Sequence, residues 1–223
     1  KTTTEATITN STSVMMTTVQ GNDNAIGYVS LGSLSDSVKE VTVDGIKGTA
    51  ENVKSGKYKI SRPFNLCYYD GKLSKLAEDL INFIMSDEGQ KTVDKEGYIS
   101  VESGKPYKAS GLKGKIAVAG STSVAPIMNV IADEYKKLNP GVTIEIQESG
   151  STAGIQSATE KAVDIGMSSR ELKDDEAKTL ATKKIAMDGI AVIVNKNNSI
   201  DNLTSDQIKS IYLGETTSWD HIK

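Results

Sequence analysis

Cysteine and histidine are almost missing from this chain. Cys67 and His221 are the sole examples among 223 residues. One cysteine excludes an intramolecular disulfide and a cysteine-rich zinc site, and one histidine excludes any mechanism that needs two imidazoles. Aromatic residues make up only 5%, and four prolines beside 19 glycines are ordinary numbers, so the chain is neither collagen-like nor of low complexity. No apolar run approaches the ~20 residues of a membrane-spanning helix. Neither sign of charge dominates: 26 basic and 29 acidic residues leave a net charge of −3. That excludes the broad basic field nucleic-acid binding requires.

What is present is enough apolar residue, 37%, to form one large domain or two small lobes. The capping cluster Asn10 to Ser13 precedes a short helix from Val14, and Met15–Met16 are expected in a core. Ala25–Val29 and Val38–Val43 read as strands, and Tyr58–Tyr69 as an extended run interrupted by Pro63. Leu73, Leu76, Ala77, Leu80, Ile81 and Ile84 share one helical face, and Asp87–Lys95 forms a second short helix. Residues 102–114 are rich in Gly, Ser and Lys without a period, and read as a linker.

Beyond the linker the pattern becomes α/β. Ile116–Ala119 is a strand, and the stripe Val124, Ile127, Met128, Ile131, Tyr135 and Leu138 is a helix. Val142, Ile144 and Ile146 form a strand, and a helix follows to about Ala162. Val163–Met167 is strand-like, Asp174–Ala181 helical, and Ile190–Val194 the most apolar strand. Alternating strands and helices imply a parallel sheet with right-handed crossovers. A last helix spans Thr204–Leu213.

Two successive strands run into a Gly-Ser-Thr turn and then a helix, at Gly120-Ser121-Thr122-Ser123 and at Gly150-Ser151-Thr152. The first amides of a helix have no intrahelical partner and carry partial positive charge. Hydroxyls add donors, and glycine admits close approach. Helix starts on adjacent parallel strands meet at the C-terminal sheet edge, where α/β folds bind ligands. The expected guest is a small oxyanion. Asp164-Ile-Gly-Met-Ser-Ser-Arg170 brings a third strand end, with Ser168, Ser169 and one of the chain's two arginines. Any one of these turns alone reads as a simple helix cap, and Arg170 alone as an ion-pair partner; their combination points to an anion site.

Enzyme signatures do not occur. There is no phosphate-binding G-x-x-x-x-G-K-[ST] loop, no G-x-G-x-x-G after a strand, and no G-x-S-x-G elbow. His221, the third residue from the end, is a poor candidate base, and Cys67 lies in the apolar stretch Leu66-Cys67-Tyr68, expected to be buried. No metal or cofactor is expected.

Gly120-Ser-Thr-Ser-Val-Ala-Pro126, Glu148-Ser-Gly-Ser-Thr-Ala-Gly154 and Asp164-Ile-Gly-Met-Ser-Ser-Arg170 together resemble the phosphate-binding proteins of bacterial ABC phosphate importers. Gly189-Ile-Ala-Val-Ile-Val-Asn195, Ile211-Tyr-Leu-Gly-Glu-Thr-Thr-Ser-Trp219, Ala25-Ile-Gly-Tyr-Val-Ser-Leu31 and Phe83-Ile-Met-Ser-Asp-Glu-Gly-Gln90 extend the resemblance over nearly the whole chain outside the linker. The resemblance implies an α/β, two-lobed periplasmic-binding-protein-like fold, with mixed, mostly parallel sheets flanked by helices and two crossing strands as a hinge. The crossings are expected near Lys57–Pro63 and Ile190–Asn195. Lobe one is then residues 60–193, containing the linker 102–114, and lobe two residues 1–56 plus 196–223.

By position, the resemblance assigns phosphate contacts to Thr122, Ser123, Ser151 and Ser169, with Ser121, Thr152 and Arg170 as further candidates. In several relatives an aspartate stands where this chain has Ser169. The order is rotated: the stretch resembling residues 115–223 comes first in the family and that resembling 1–101 follows, so the chain looks like an engineered circular permutant. A Ser-Gly-Thr-Arg-like helix start of the family, with an arginine that contacts phosphate, is not found, which implies weakened binding and an incomplete lobe two. The expected partners are inorganic phosphate and, in the parent family, the membrane subunits of the ABC transporter, with no nucleic acid, no membrane span and a monomeric state. The parent family is extracytoplasmic. The opening Lys1-Thr-Thr-Thr-Glu5, without Met or an apolar segment, carries no signal peptide, as expected of a recombinant chain. The readings left beside a phosphate receptor are a scaffold of the same fold without useful affinity and an enzyme acting on a phosphorylated substrate.

Overall fold

The computed structural model describes residues 1–102 and 104–222; Ser103, in the expected linker, and Lys223, at the end of the expected second lobe, lie outside the described residues. In chain order the elements begin with α1 (Thr12–Gln20), β1 (Ile26–Ser30), β2 (Lys39–Val43) and α2 (Ala50–Lys54). There follow β3 (Ser61–Tyr69), α3 (Lys75–Ile84), α4 (Asp87–Lys95) and β4 (Ile99–Ser100). Next come β5 (Gly114–Gly120), α5 (Ala125–Leu138), β6 (Val142–Glu148), α6 (Ser151–Thr159) and β7 (Ile165–Ser168). The chain ends with β8 (Leu180–Val194), β9 (Asn202–Leu203) and α7 (Ser205–Leu213).

The chain divides into two compact units. One comprises Lys1–Ser61 with the segment from Gly189 onward, and the other Arg62–Asp188. In the first unit the last residues of β8 pair antiparallel with β1 (Ile26↔Val194) and β2 (Lys39↔Val194), and β2 pairs parallel with β9. Successive side chains of a strand face opposite sides. Val192 and Val194 therefore pack with Val41, Val43, Tyr58 and Leu203, and Ala191 and Ile193 with Val19, Val29 and Val38. Burial on both faces explains the uninterrupted apolar run of this strand.

In the second unit β5 lies between β6 and β7 and is parallel to both, with β3 antiparallel to β7 and β8 beyond β3. Helices α3 and α5 cover one face. Leu80, Ile84, Ile127, Met128, Ile131 and Tyr135 are buried there against Phe64, Leu66, Ile116 and Val118. On the other face α6 contributes Ile155 and Ala158, which pack with Cys67 and Leu180. The result is the α/β architecture of mixed sheets flanked by helices that the motifs imply.

Two departures from the sequence reading have physical causes. The helix expected over Asp174–Ala181 is reduced to a single 3-10 turn, Glu176–Lys178, because Leu180 already belongs to β8. Leu180, Ile185 and Ala186 are buried in the second unit's cores, so tertiary burial overrides the local helical preference of this charged stretch. The aperiodic segment after Glu102 is anchored: the Tyr107 ring packs on Phe83 and Tyr135, and its hydroxyl donates to Asp79 Oδ2 at 2.6 Å. Tyr135 donates to the same oxygen at 2.6 Å and Ser110 at 2.8 Å.

Candidate functional site

The Gly-Ser-Thr turns and the Ser168-Ser169-Arg170 turn all fall in the second unit, where β5, β6 and β7 end. Their alignment follows from the ladder. Gly120 pairs with Glu148 on one side and Met167 on the other, so three strands finish at one level. The turns are then tied together by the backbone. Ser121 N–H donates to Met167 O at 2.9 Å, and the amides of Ser149 and Gly150 both donate to Gly120 O at 2.9 Å.

Glycine is required here for close approach. Gly120 has φ +141°, and a Cβ on it would lie 2.2 Å from Met167 O. A Cβ on Gly154 would lie 2.4 Å from Gly120 Cα and 2.6 Å from Ala119 O. The first turn of α6 is thus pressed directly onto the end of β5, which sets where its amides point.

Capping separates these helices from the rest. Ser11, Thr49, Ser74, Ser86 and Thr204 each use a side-chain oxygen to cap α1, α2, α3, α4 and α7. Neither α5, preceded by Val124, nor α6, preceded by Gly150, has a side-chain cap, and neither carries an acidic residue in its first turn. At α5 the amides of Val124 and Ala125 donate to Ser121 O and Pro126 has no N–H, so the open amides are those of α6. The partial positive charge of both ends is left without a compensating carboxylate.

The hydroxyls instead converge. Ser151 Oγ and Ser169 Oγ are 3.2 Å apart, and Ser169 N–H donates to Ser151 Oγ at 3.1 Å. Both residues are half-buried, as are Thr122 and Ser123, while Thr152 is exposed. Ser121 is buried, and its Oγ accepts from Ser123 N–H at 3.2 Å, shaping the turn. Among the sequence-predicted residues, Ser151 and Ser169 are in contact and Ser121 and Ser123 are joined; Thr152 points to solvent.

Arg170 is held by Glu176. Both Nη atoms donate to the carboxylate at 2.8 Å, which holds Glu176 down to about 2 and raises the arginine further above its ordinary value. Its fork is therefore already occupied, the ion-pair role that arginine alone suggests.

Ser168, named in the sequence as a strand-end hydroxyl, is committed internally, and two further polar residues at this edge, Asn65 and Ser149, were not singled out there. Ser168 is buried, donating its hydroxyl to Arg170 O at 2.8 Å. Asn65, the polar residue in Phe64-Asn65-Leu66-Cys67, is buried and donates to Arg170 O at 3.2 Å and Glu171 Oε2 at 3.1 Å. A lone amide inside an apolar strand was the available signal. Ser149 Oγ is buried beside the start of α6 and has no hydrogen-bond partner.

Elsewhere, a cavity of about 570 Å³ in the first unit is lined by Glu5, Ile8, Met15, Tyr28 and Tyr212 among others, with no lysine or arginine, and does not suit an anion. Among the described residues no group of three His, Cys, Asp or Glu could hold a metal. No helix of the described residues is long and apolar enough to cross a membrane. Cys67 is fully buried, and burial pushes its thiol up to about 12.

Known proteins similar to this chain place its α/β fold among solute receptors. The PBP superfamily domain matches residues 105–222. "Phosphate-binding protein PstS 2" of Streptococcus agalactiae serotype V is 49% identical over 218 residues, covering 97% of this chain and 74% of that protein. The crystal structure of a phosphate-binding protein of a phosphate ABC transporter from Streptococcus pneumoniae TIGR4 superposes with a TM-score of 0.78 at 45% identity. That match covers 100% of this chain and 86% of the other. "Phosphate-binding protein PstS" of Pseudomonas aeruginosa PAO1 is 36% identical over 113 residues, covering 47% of this chain and 35% of that protein. This chain belongs to the family of phosphate-binding proteins of ABC phosphate transporters.

Proposed function

We propose that this protein binds inorganic phosphate as the solute receptor of an ABC importer, outside the cytoplasm, and performs no catalysis. The phosphate contacts are Thr122, Ser123, Ser151 and Ser169, with the first amides of α6. The observation that carries this reading is the pairing of the uncapped start of α6 with the Ser151–Ser169 hydroxyl pair. A tetrahedral oxyanion takes several hydrogen bonds at once, and charge-assisted bonds are worth roughly 1.5–3 kcal/mol each. The names of the relatives support phosphate as the anion.

The segment order is taken as natural rather than engineered. Supporting this, the streptococcal relative matches along 97% of the chain, whereas the Pseudomonas relative matches along 47%, as expected if only the former shares the order. No Ser-Gly-Thr-Arg string occurs in these 223 residues.

Thermal unfolding with and without phosphate tests the reading. A ligand that binds only the folded state raises the midpoint in proportion to the logarithm of its concentration. A rising midpoint with phosphate is expected; an unchanged midpoint at millimolar phosphate would leave a scaffold of this fold without affinity. Turnover of a generic phosphoester would instead favour an enzyme.

A further inference from the structure

The other arginine, Arg62, is placed at the same sheet edge. β3 runs antiparallel to β7, with Asn65 opposite Ser168. Moving back along β3 from Asn65 therefore moves past the end of β7, toward the Ser169 turn. Arg62 stands three residues on, about 10 Å along the strand, within one long side chain of that turn. By strand alternation it shares a face with Phe64, whose ring lies 5.7 Å from its guanidinium carbon. That is the face covered by α5, the helix that starts at the Thr122–Ser123 turn.

The guanidinium is anchored at one corner. Its Nε donates to Asp188 Oδ2 at 3.0 Å, with the Asp188 side chain fully buried and that of Arg62 only 16% exposed. A buried carboxylate needs such a partner. Neither Nη atom hydrogen-bonds to any described residue. This contrasts with Arg170, whose Nη atoms are both taken by Glu176. Of the two arginines, Arg62 is the one that keeps its planar, two-donor end available while a buried counter-ion fixes its position.

We propose that Arg62 is a further phosphate-binding residue: anchored through Nε to Asp188, it presents its Nη donors to the anion held by the hydroxyl turns. This rests on the hydroxyl site proposed above. Arg62 supplies two charge-assisted donors in one plane, which serines, threonines and helix amides lack, and it fits an oxyanion by two parallel bonds.

The test is calorimetric phosphate titration of the wild type, Arg62→Lys, the double variant Arg62→Gln/Asp188→Asn, and Ser151→Ala. Arg62→Lys keeps a cation beside Asp188 but loses the fork, and the double variant removes both charges so that neither is left buried alone. Both are expected to lose about tenfold or more in affinity. A purely structural arginine would lower the unfolding midpoint and leave affinity unchanged. Wild-type affinity in both Arg62 variants, with binding weakened by Ser151→Ala, overturns the arginine proposal and leaves the hydroxyl site standing. Unchanged binding in Ser151→Ala overturns the hydroxyl site and, with it, Arg62 as a member of that site.

Discussion

Ser151 and Ser169 are joined twice, through Oγ to Oγ at 3.2 Å and through Ser169 N–H to Ser151 Oγ at 3.1 Å. The contact links the start of α6 to the turn after β7, 18 residues later in the chain. It fixes two rotatable hydroxyls relative to the uncapped amides of α6. An anion arriving there meets donors already held in place, so less side-chain entropy is lost on binding.

Gly154→Ala should disrupt the site without touching a hydroxyl. The new methyl would meet Gly120 Cα at 2.4 Å and Ala119 O at 2.6 Å, both backbone, so α6 must move away from β5. Overpacking of this kind costs about 1–3 kcal/mol. Chemical denaturation is expected to show that loss, and phosphate affinity is expected to fall with it. Wild-type stability in the alanine variant would contradict the close helix–strand contact.

The Arg170–Glu176 pair predicts an acid-sensitive stability. The Arg170 hydrogen bonds hold Glu176 at about 2, below its ordinary 4.5. A carboxyl whose value is depressed on folding stabilises fully above its unfolded value and loses that contribution as pH falls. Stability of the wild type should therefore decline between about pH 4.5 and pH 2, and Glu176→Gln should flatten part of that decline while lowering stability at neutral pH. Parallel pH profiles for the two proteins would remove the pair from the account.

Ser169 bears on selectivity. A hydroxyl both donates and accepts, whereas a carboxylate only accepts. Hydrogen phosphate has a proton to offer an acceptor and sulfate has none, so Ser169 gives little ground for rejecting sulfate. Competition titration is expected to show measurable sulfate binding in the wild type and a higher phosphate-to-sulfate ratio in Ser169→Asp. Tight phosphate binding with no detectable sulfate affinity in the wild type would place selectivity elsewhere.

The βα units were legible because their signals are local. The apolar stripe of α5, the alternation in β6 and the glycine-bearing turns each sit within a dozen residues. The hydroxyl turns were legible as candidate anion ligands for the same reason. What stayed hidden depends on contacts distant in sequence. Nothing around Asp174–Ala181 announces that Leu180 opens a 15-residue strand, since its burial comes from Cys67, Ile155 and Ala158. The use of Arg62 against Asp188, 126 residues away, is equally non-local. Nor does a serine before a helix reveal whether it caps. Ser74 stands directly before α3 and caps it, while Gly150 takes that position before α6 and leaves Ser149 one residue too early to cap.

Isothermal titration of phosphate into the wild type and Ser151→Ala/Ser169→Ala tests the central claim most directly. Both serines are only half-buried and neither lies in a core, so the double variant should stay folded. Removal of two hydroxyls that each contribute about 1 kcal/mol or more predicts at least a roughly tenfold loss of affinity. Identical binding isotherms for the two proteins would contradict the claim that these turns hold the anion.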